Sequence, residues 1–128
     1  MPSDICIIHN GSALVSNSFP FTKFFFLRSQ DRGRPSLLII EVTTAYTASS
    51  QTARVLLNGT QVGSISPHPW TNHGLILFDP VSIVIPGSSF SPSWFGSFNR
   101  LQIVPSGTIP TATDYLLVAN VWLHFPQT

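Results

Sequence analysis

Short runs of β-forming residues, separated by Gly, Pro, Asn and Ser, recur along the whole chain, and no segment of ten residues carries a 3.6-residue apolar stripe with helix caps. The clearest run is Ala53 to Gly63, Ala-Arg-Val-Leu-Leu-Asn-Gly-Thr-Gln-Val-Gly. Its β-formers stop at Asn58-Gly59 and resume at Gln61-Val62, the pattern of a two-residue hairpin turn that needs positive φ. Strands are predicted before it over Asp4 to Ile8, Ala13 to Val15, Phe19 to Leu27 and Leu37 to Tyr46, and after it over Leu75 to Phe78, Val81 to Ile85, Arg100 to Val104 and Tyr115 to Phe125.

Within Leu37 to Tyr46, Leu38, Ile40, Val42 and Thr44 alternate with Leu37, Ile39, Glu41 and Thr43. Phe24 to Leu27 and Leu37 to Ile40 are apolar in both phases. Such runs suit central strands covered on both sides, or strands whose outer face meets a partner. Pro20 lacks a backbone donor and limits the start of the Phe19 to Leu27 run to a sheet edge. Short strands at this spacing, with turn residues between them, predict an all-β, antiparallel β-sandwich of jelly-roll type. Residues 1–128 read as one domain, with neither an internal repeat nor a linker.

Composition adds a constraint on the surface. A chain of 128 residues is large enough to bury about two-thirds of its unfolded surface. Charged residues make up only 9% of it, against about 25% in an average globular domain. Ser, Thr, Asn and Gln must therefore cover the exterior, or part of it must be hidden against another subunit, so a homo-oligomer is expected. A net charge of +1 argues against nucleic acid, which needs a basic stripe; Arg28, Arg32 and Arg34 form only a local patch in one loop. No apolar run reaches the ~20 residues of a membrane span, and the first residues do not read as a secretory signal, which gives cytoplasmic residence or leaderless export as the expectation. The single cysteine, Cys6, lies in Ile5-Cys6-Ile7-Ile8 and reads as a small buried hydrophobe.

From Arg34 onward the order of pieces resembles a galactose-binding-like jelly roll. The long strand Pro35 to Val42 is followed by Arg54-Val55-Leu56-Leu57-Asn58-Gly59-Thr60-Gln61-Val62-Gly63, then by the turn Pro86-Gly87. Gly96-Ser97-Phe98-Asn99-Arg100-Leu101-Gln102-Ile103 stands where that family has a Gly-x-Asn-x-Leu-x-Ile strand, and Val118 to Phe125 closes the series. The resemblance implies the sandwich and, through the sugar-binding members of that fold, a saccharide as ligand. The segment Ser88 to Phe98 is longer and more aromatic than the family's plain turn.

No catalytic constellation accompanies these strands. Asp4, Asp31, Glu41, Asp79 and Asp114 are scattered one per element, so no carboxylate pair suits glycoside hydrolysis, and no Gly-x-Ser-x-Gly elbow is present. Glu41 reads as a solvent-facing strand residue or the partner of Arg54 on an adjacent strand. His68 and His73 lack a Cys or carboxylate neighbour to complete a metal shell. The expectation is thus a non-enzymatic module with no metal and no cofactor. Two segments offer an indole platform with short polar neighbours, the composition of a sugar site. They are His68-Pro69-Trp70-Thr71-Asn72-His73 and Ser91-Pro92-Ser93-Trp94-Phe95-Gly96. Trp70, Asn72, His68, His73 and Trp94 are accordingly the candidate saccharide-binding residues of a lectin-like domain. The alternative is an oligomeric structural subunit of a shell, fibre or particle, without a small ligand. Trp122, inside the closing strand, reads as core or interface.

Overall fold

The computed structural model describes residues 3–11, 13–15, 21–45, 53–65, 79–92, 97–105 and 115–128. Among these residues nine strands follow one another: β1 (Ser3–His9), β2 (Ala13–Val15), β3 (Phe21–Leu27), β4 (Ser36–Ala45), β5 (Ala53–Leu57), β6 (Thr60–Ile65), β7 (Asp79–Ile85), β8 (Ser97–Pro105) and β9 (Tyr115–Pro126), with one 3₁₀ turn at Gly87–Ser89. They form two antiparallel sheets. The five-stranded sheet runs β1-β9-β4-β7, with β2 also on β9, and the four-stranded sheet runs β3-β8-β5-β6.

The topology is that of a jelly roll. β1 pairs with β9 from Ser3↔Pro126 to His9↔Val121, and β2 continues along β9 from Ala13↔Val118 to Val15↔Leu116, so the two act as one interrupted edge strand. Counted that way there are eight strands, and each lies in the sheet opposite its predecessor, except across the β5–β6 hairpin. That alternation wraps the chain around one core.

Period-two alternation builds this core. Leu38, Ile40 and Val42 of β4, Val121, Leu123 and Phe125 of β9, Val55 and Leu57 of β5, and Leu101 and Ile103 of β8 all point between the sheets and are buried. Phe90, just beyond the 3₁₀ turn, is buried in the same cluster. Among the described residues β3 is an edge strand of its sheet and not a central one. Its Phe25 is buried, while Phe24 and Phe26 face solvent.

The Asn58-Gly59 hairpin forms as its sequence predicts: φ is 52° at Asn58 and 87° at Gly59. Positive φ at both central residues is the requirement of the turn type whose twist matches its strands. Among the described residues no helix is long and apolar enough to cross a membrane.

Candidate functional site: the two outer sheet faces

The outward phase of the five-stranded sheet is largely apolar in two successive rows that cross its full width. One row, set by register, is Ile5–His124–Leu37–Val84, and the next is Ile7–Trp122–Ile39–Ser82. Ile5, Ile7 and Val84 are 55%, 71% and 65% exposed, and Leu37, Ile39, Trp122 and His124 are half-buried. Trp122 Nε1 donates to His124 Nε2 at 3.2 Å, so the indole's one polar group is satisfied within the face. Neither row contains an Asp, Glu, Lys or Arg. Trp122 therefore lies on the outer face and not in the core.

One end of this band is polar. The register of β4 on β9 shifts between Ile40 and Val42, a bulge that turns Asn120 outward beside Glu41. Asn120 Nδ2 donates to Glu41 Oε1 at 3.0 Å, and Asn120 Oδ1 accepts from the backbone N–H of Gly11 at 3.1 Å. Glu41 is thus a solvent-facing strand residue held by an amide. Arg54 belongs to the other sheet and is not its partner.

The four-stranded sheet presents a different surface. Its outward phase carries Thr22, Phe24 and Phe26 on β3, opposite Gln102, Arg100 and Phe98 on β8. Phe24, Phe26 and Phe98 are 60%, 46% and 62% exposed. The rings of Phe24 and Phe98 stack, with centroids 5.7 Å apart and planes 19° from parallel. A shallow hollow of about 260 Å³ opens beside them, lined by Phe24, Asn58, Phe98, Asn99 and Arg100.

The base of that hollow is rigid. Asn99, almost fully buried, accepts from Asn58 Nδ2 at 2.8 Å and from the Ser91 backbone N–H at 2.9 Å, while its own Nδ2 donates to Ser97 O at 3.1 Å and to Ser97 Oγ. Asn58 Oδ1 accepts the Arg100 backbone N–H at 2.9 Å, and the Asn58 N–H donates to Arg100 O at the same distance. Both carboxamides are committed to structure. Above them the Arg100 guanidinium has no hydrogen-bond or ion-pair partner among the described residues, and its Nε is buried without one.

Trp70, Asn72, His68, His73 and Trp94 lie outside the described residues. Also outside them is the strand predicted over Leu75 to Phe78. Among the described residues no group of three His, Cys, Asp or Glu side chains converges on a metal position. Cys6 is half-buried against the core, and burial, reinforced by Asp4, pushes its thiol above the ordinary range. Burial pushes His9 below the usual imidazole range, as does the Lys23 ammonium, against a backbone hydrogen bond at Gly11 that raises it. Its ring meets Phe21 edge-on at 5.1 Å. The pairing of Phe24 with Phe98 and the placing of Arg100 beside them follow from register between two strands distant in sequence. Their local signal in the sequence is Phe98, Arg100 and Gln102 alternating with Asn99, Leu101 and Ile103.

No protein-family model matches the chain, and no curated protein sequence matches it. Comparison with solved structures gives likenesses of differing strength. Dimeric latent PorU from Porphyromonas gingivalis superposes with a TM-score of 0.70 at 12% identity, over 98% of this chain and 13% of that one. A mutant VP2 protein of infectious bursal disease virus, from T=1 particles, gives a TM-score of 0.46 at 14% identity, over 98% of this chain and 32% of that one. A carbohydrate-binding module in complex with calcium and xylotriose gives 0.40 at 9% identity, over 98% of this chain and the whole of that one. The chain thus spans only a small part of PorU, and at 12% identity that likeness is one of fold, in keeping with the two antiparallel sheets described above: the protein is an antiparallel β-sandwich.

Proposed function

We propose that the chain is a non-enzymatic assembly module, a jelly-roll subunit that buries the outer face of its five-stranded sheet against the same face of a second copy. The observation that carries this reading is the pair of uncharged rows Ile5–His124–Leu37–Val84 and Ile7–Trp122–Ile39–Ser82. Exposed apolar surface that continuous is uncommon on a monomer. Four strands about 4.8 Å apart and seven residues at about 3.3 Å each, the two rows together with the polar Glu41–Asn120 end, give a footprint of roughly 450 Å². Two such faces, before side-chain relief is added, approach the ~1,000 Å² that separates a biological interface from a casual contact. The absence of Asp, Glu, Lys and Arg from both rows matters because two copies of such a face can come together without burying an unpaired charge.

Sedimentation velocity over a wide micromolar range tests the reading. The wild type is expected to run heavier than the 14.0 kDa chain. Ile7→Lys, a change at an exposed position, is expected to yield a folded monomer whose melting temperature no longer rises with protein concentration. A wild-type monomer throughout the range overturns the proposal. Sugar recognition, the reading that nominated Trp70 and Trp94, has separate support in the exposed Phe24–Phe98 pair of the other sheet.

A further inference from the structure

The four-stranded sheet is electrostatically one-sided. Its strands hold Lys23, Arg54 and Arg100 and none of the five acidic residues of the chain. Lys23 lies in the phase of Phe21 and Phe25, while Arg54 and Arg100 lie in the outward phase with the exposed phenylalanines. Among the described residues the single ion pair is Arg34–Asp31, at 2.8 Å in the loop before β4. Two outward cations without an acid on their sheet, one of them, Arg100, beside two stacked and exposed rings, call for an anionic ligand that also has apolar faces.

We propose that the outer face of the four-stranded sheet binds an acidic oligosaccharide, with Phe24 and Phe98 receiving the apolar face of a pyranose and Arg100 its carboxylate or sulfate. The rings supply area at little cost in conformational freedom, since stacking already fixes them. A guanidinium pairs with planar oxyanions through two parallel N–H donors, which a neutral sugar cannot exploit. Arg100 is pre-positioned for this: both of its backbone polar groups bond Asn58, and its Nη2 lies 3.8 Å from where a side chain on Gly59 would begin. The next row along the face, Thr22 and Gln102, offers a hydroxyl and a carboxamide to sugar hydroxyls.

The same features disfavour other occupants. Capture of a nucleic-acid strand rests on many phosphate contacts, and two outward cations are few for that. A second copy seated on this face would bring Arg54 and Arg100 against cations of the same sheet. The site is independent of the five-stranded face, so either proposal can fail alone.

Isothermal titration of the full chain with hexagalacturonate, a heparin-derived hexasaccharide, a neutral galactohexaose and oligo(dT) tests the assignment. At least one acidic saccharide is expected to bind, and more tightly than the neutral one. Arg100→Gln should weaken that binding by about tenfold or more and abolish the preference for acid, the scale of one charge-assisted hydrogen bond. Phe98→Ala should weaken acidic and neutral sugars alike. Melting curves identify any variant that fails to fold, and Phe98→Leu, which keeps apolar bulk without a ring, then replaces Phe98→Ala. Three results overturn the proposal: no heat with either acidic probe at millimolar concentration, sugar binding unchanged in Arg100→Gln and the Phe98 variant, or tighter binding of oligo(dT) than of both acidic saccharides.

Discussion

Asn58 Nδ2 donates to Asn99 Oδ1 at 2.8 Å, tying the tip of the β5–β6 hairpin to a buried position on β8. The two residues divide the work. Asn58 takes the left-handed conformation of the turn and bonds both backbone groups of Arg100. Asn99 gathers the Ser91 N–H and Ser97 O, so the segment between β7 and β8 is held by the same amide.

Asn99→Leu keeps the volume but leaves several buried polar groups without partners, and each such group costs about 1–3 kcal/mol. The urea midpoint should fall accordingly. Gly59→Val, with φ at +87°, should cost about 1–3 kcal/mol through backbone strain alone. A wild-type midpoint for either variant would contradict this account of the hairpin.

Gly87→Ala should be costly although its turn is short. A β-carbon there would fall on the Arg32 carbonyl oxygen and lie 2.8 Å from Arg34 O, both main-chain atoms that cannot rotate aside. The loop carrying Arg32 is bound to this turn from the other side as well, since Arg32 Nη2 donates to Phe90 O at 3.0 Å. Overpacking of this kind costs about 1–3 kcal/mol. Thermal melting checks it, and an unshifted transition would show that the two loops can separate freely.

His9 gives stability a dependence on pH. Its folded pKa is lowered by burial first and by Lys23 second, so the unfolded chain takes up the proton more readily. The contribution is fully present above the ordinary value of about 6.5 and is lost as pH falls through the lowered folded value. Urea midpoints at about pH 7.5 and about pH 5 should therefore differ more in the wild type than in His9→Gln. Equal differences in the two proteins would assign the pH dependence elsewhere.

Cys6 should alkylate slowly. Burial and the Asp4 carboxylate raise its pKa, which keeps it a thiol near neutrality, and the thiolate is the nucleophile. Iodoacetamide labelling of the native protein should lag well behind labelling in urea. Equal rates would show that β1 separates from β9 readily.

The strands were legible in the sequence because turn chemistry and alternation are local. Ala13–Val15 and Ala53–Leu57 lie where turn chemistry and alternation put them, β7 and β8 extend their expected runs by a few residues, and β4 begins one residue early, at Ser36. Sheet partners were not legible. Phe24 to Leu27 is apolar in both phases, which fits a covered central strand as well as an edge strand with an open outer face, and only pairing with β8 alone decides for the edge. The same holds for the surface sites. Phe98 and Arg100 lie far from Phe24 in the chain, and only register brings them together. Glu41 likewise finds Asn120 through a bulge that no local pattern announces.

The place of β9 in its sheet sets the order in which a nascent chain can fold. Among the described residues β1 and β2 pair with no strand but β9, and β3 pairs with no strand but β8, whereas β5–β6 and β4–β7 are complete earlier in the chain. During vectorial synthesis the ribosome therefore releases Ile5, Ile7 and Phe24 to Phe26 long before their partner strands exist. Closure awaits the last strand, the slow, non-local step expected of such a topology. Until then these edges stay open to other chains.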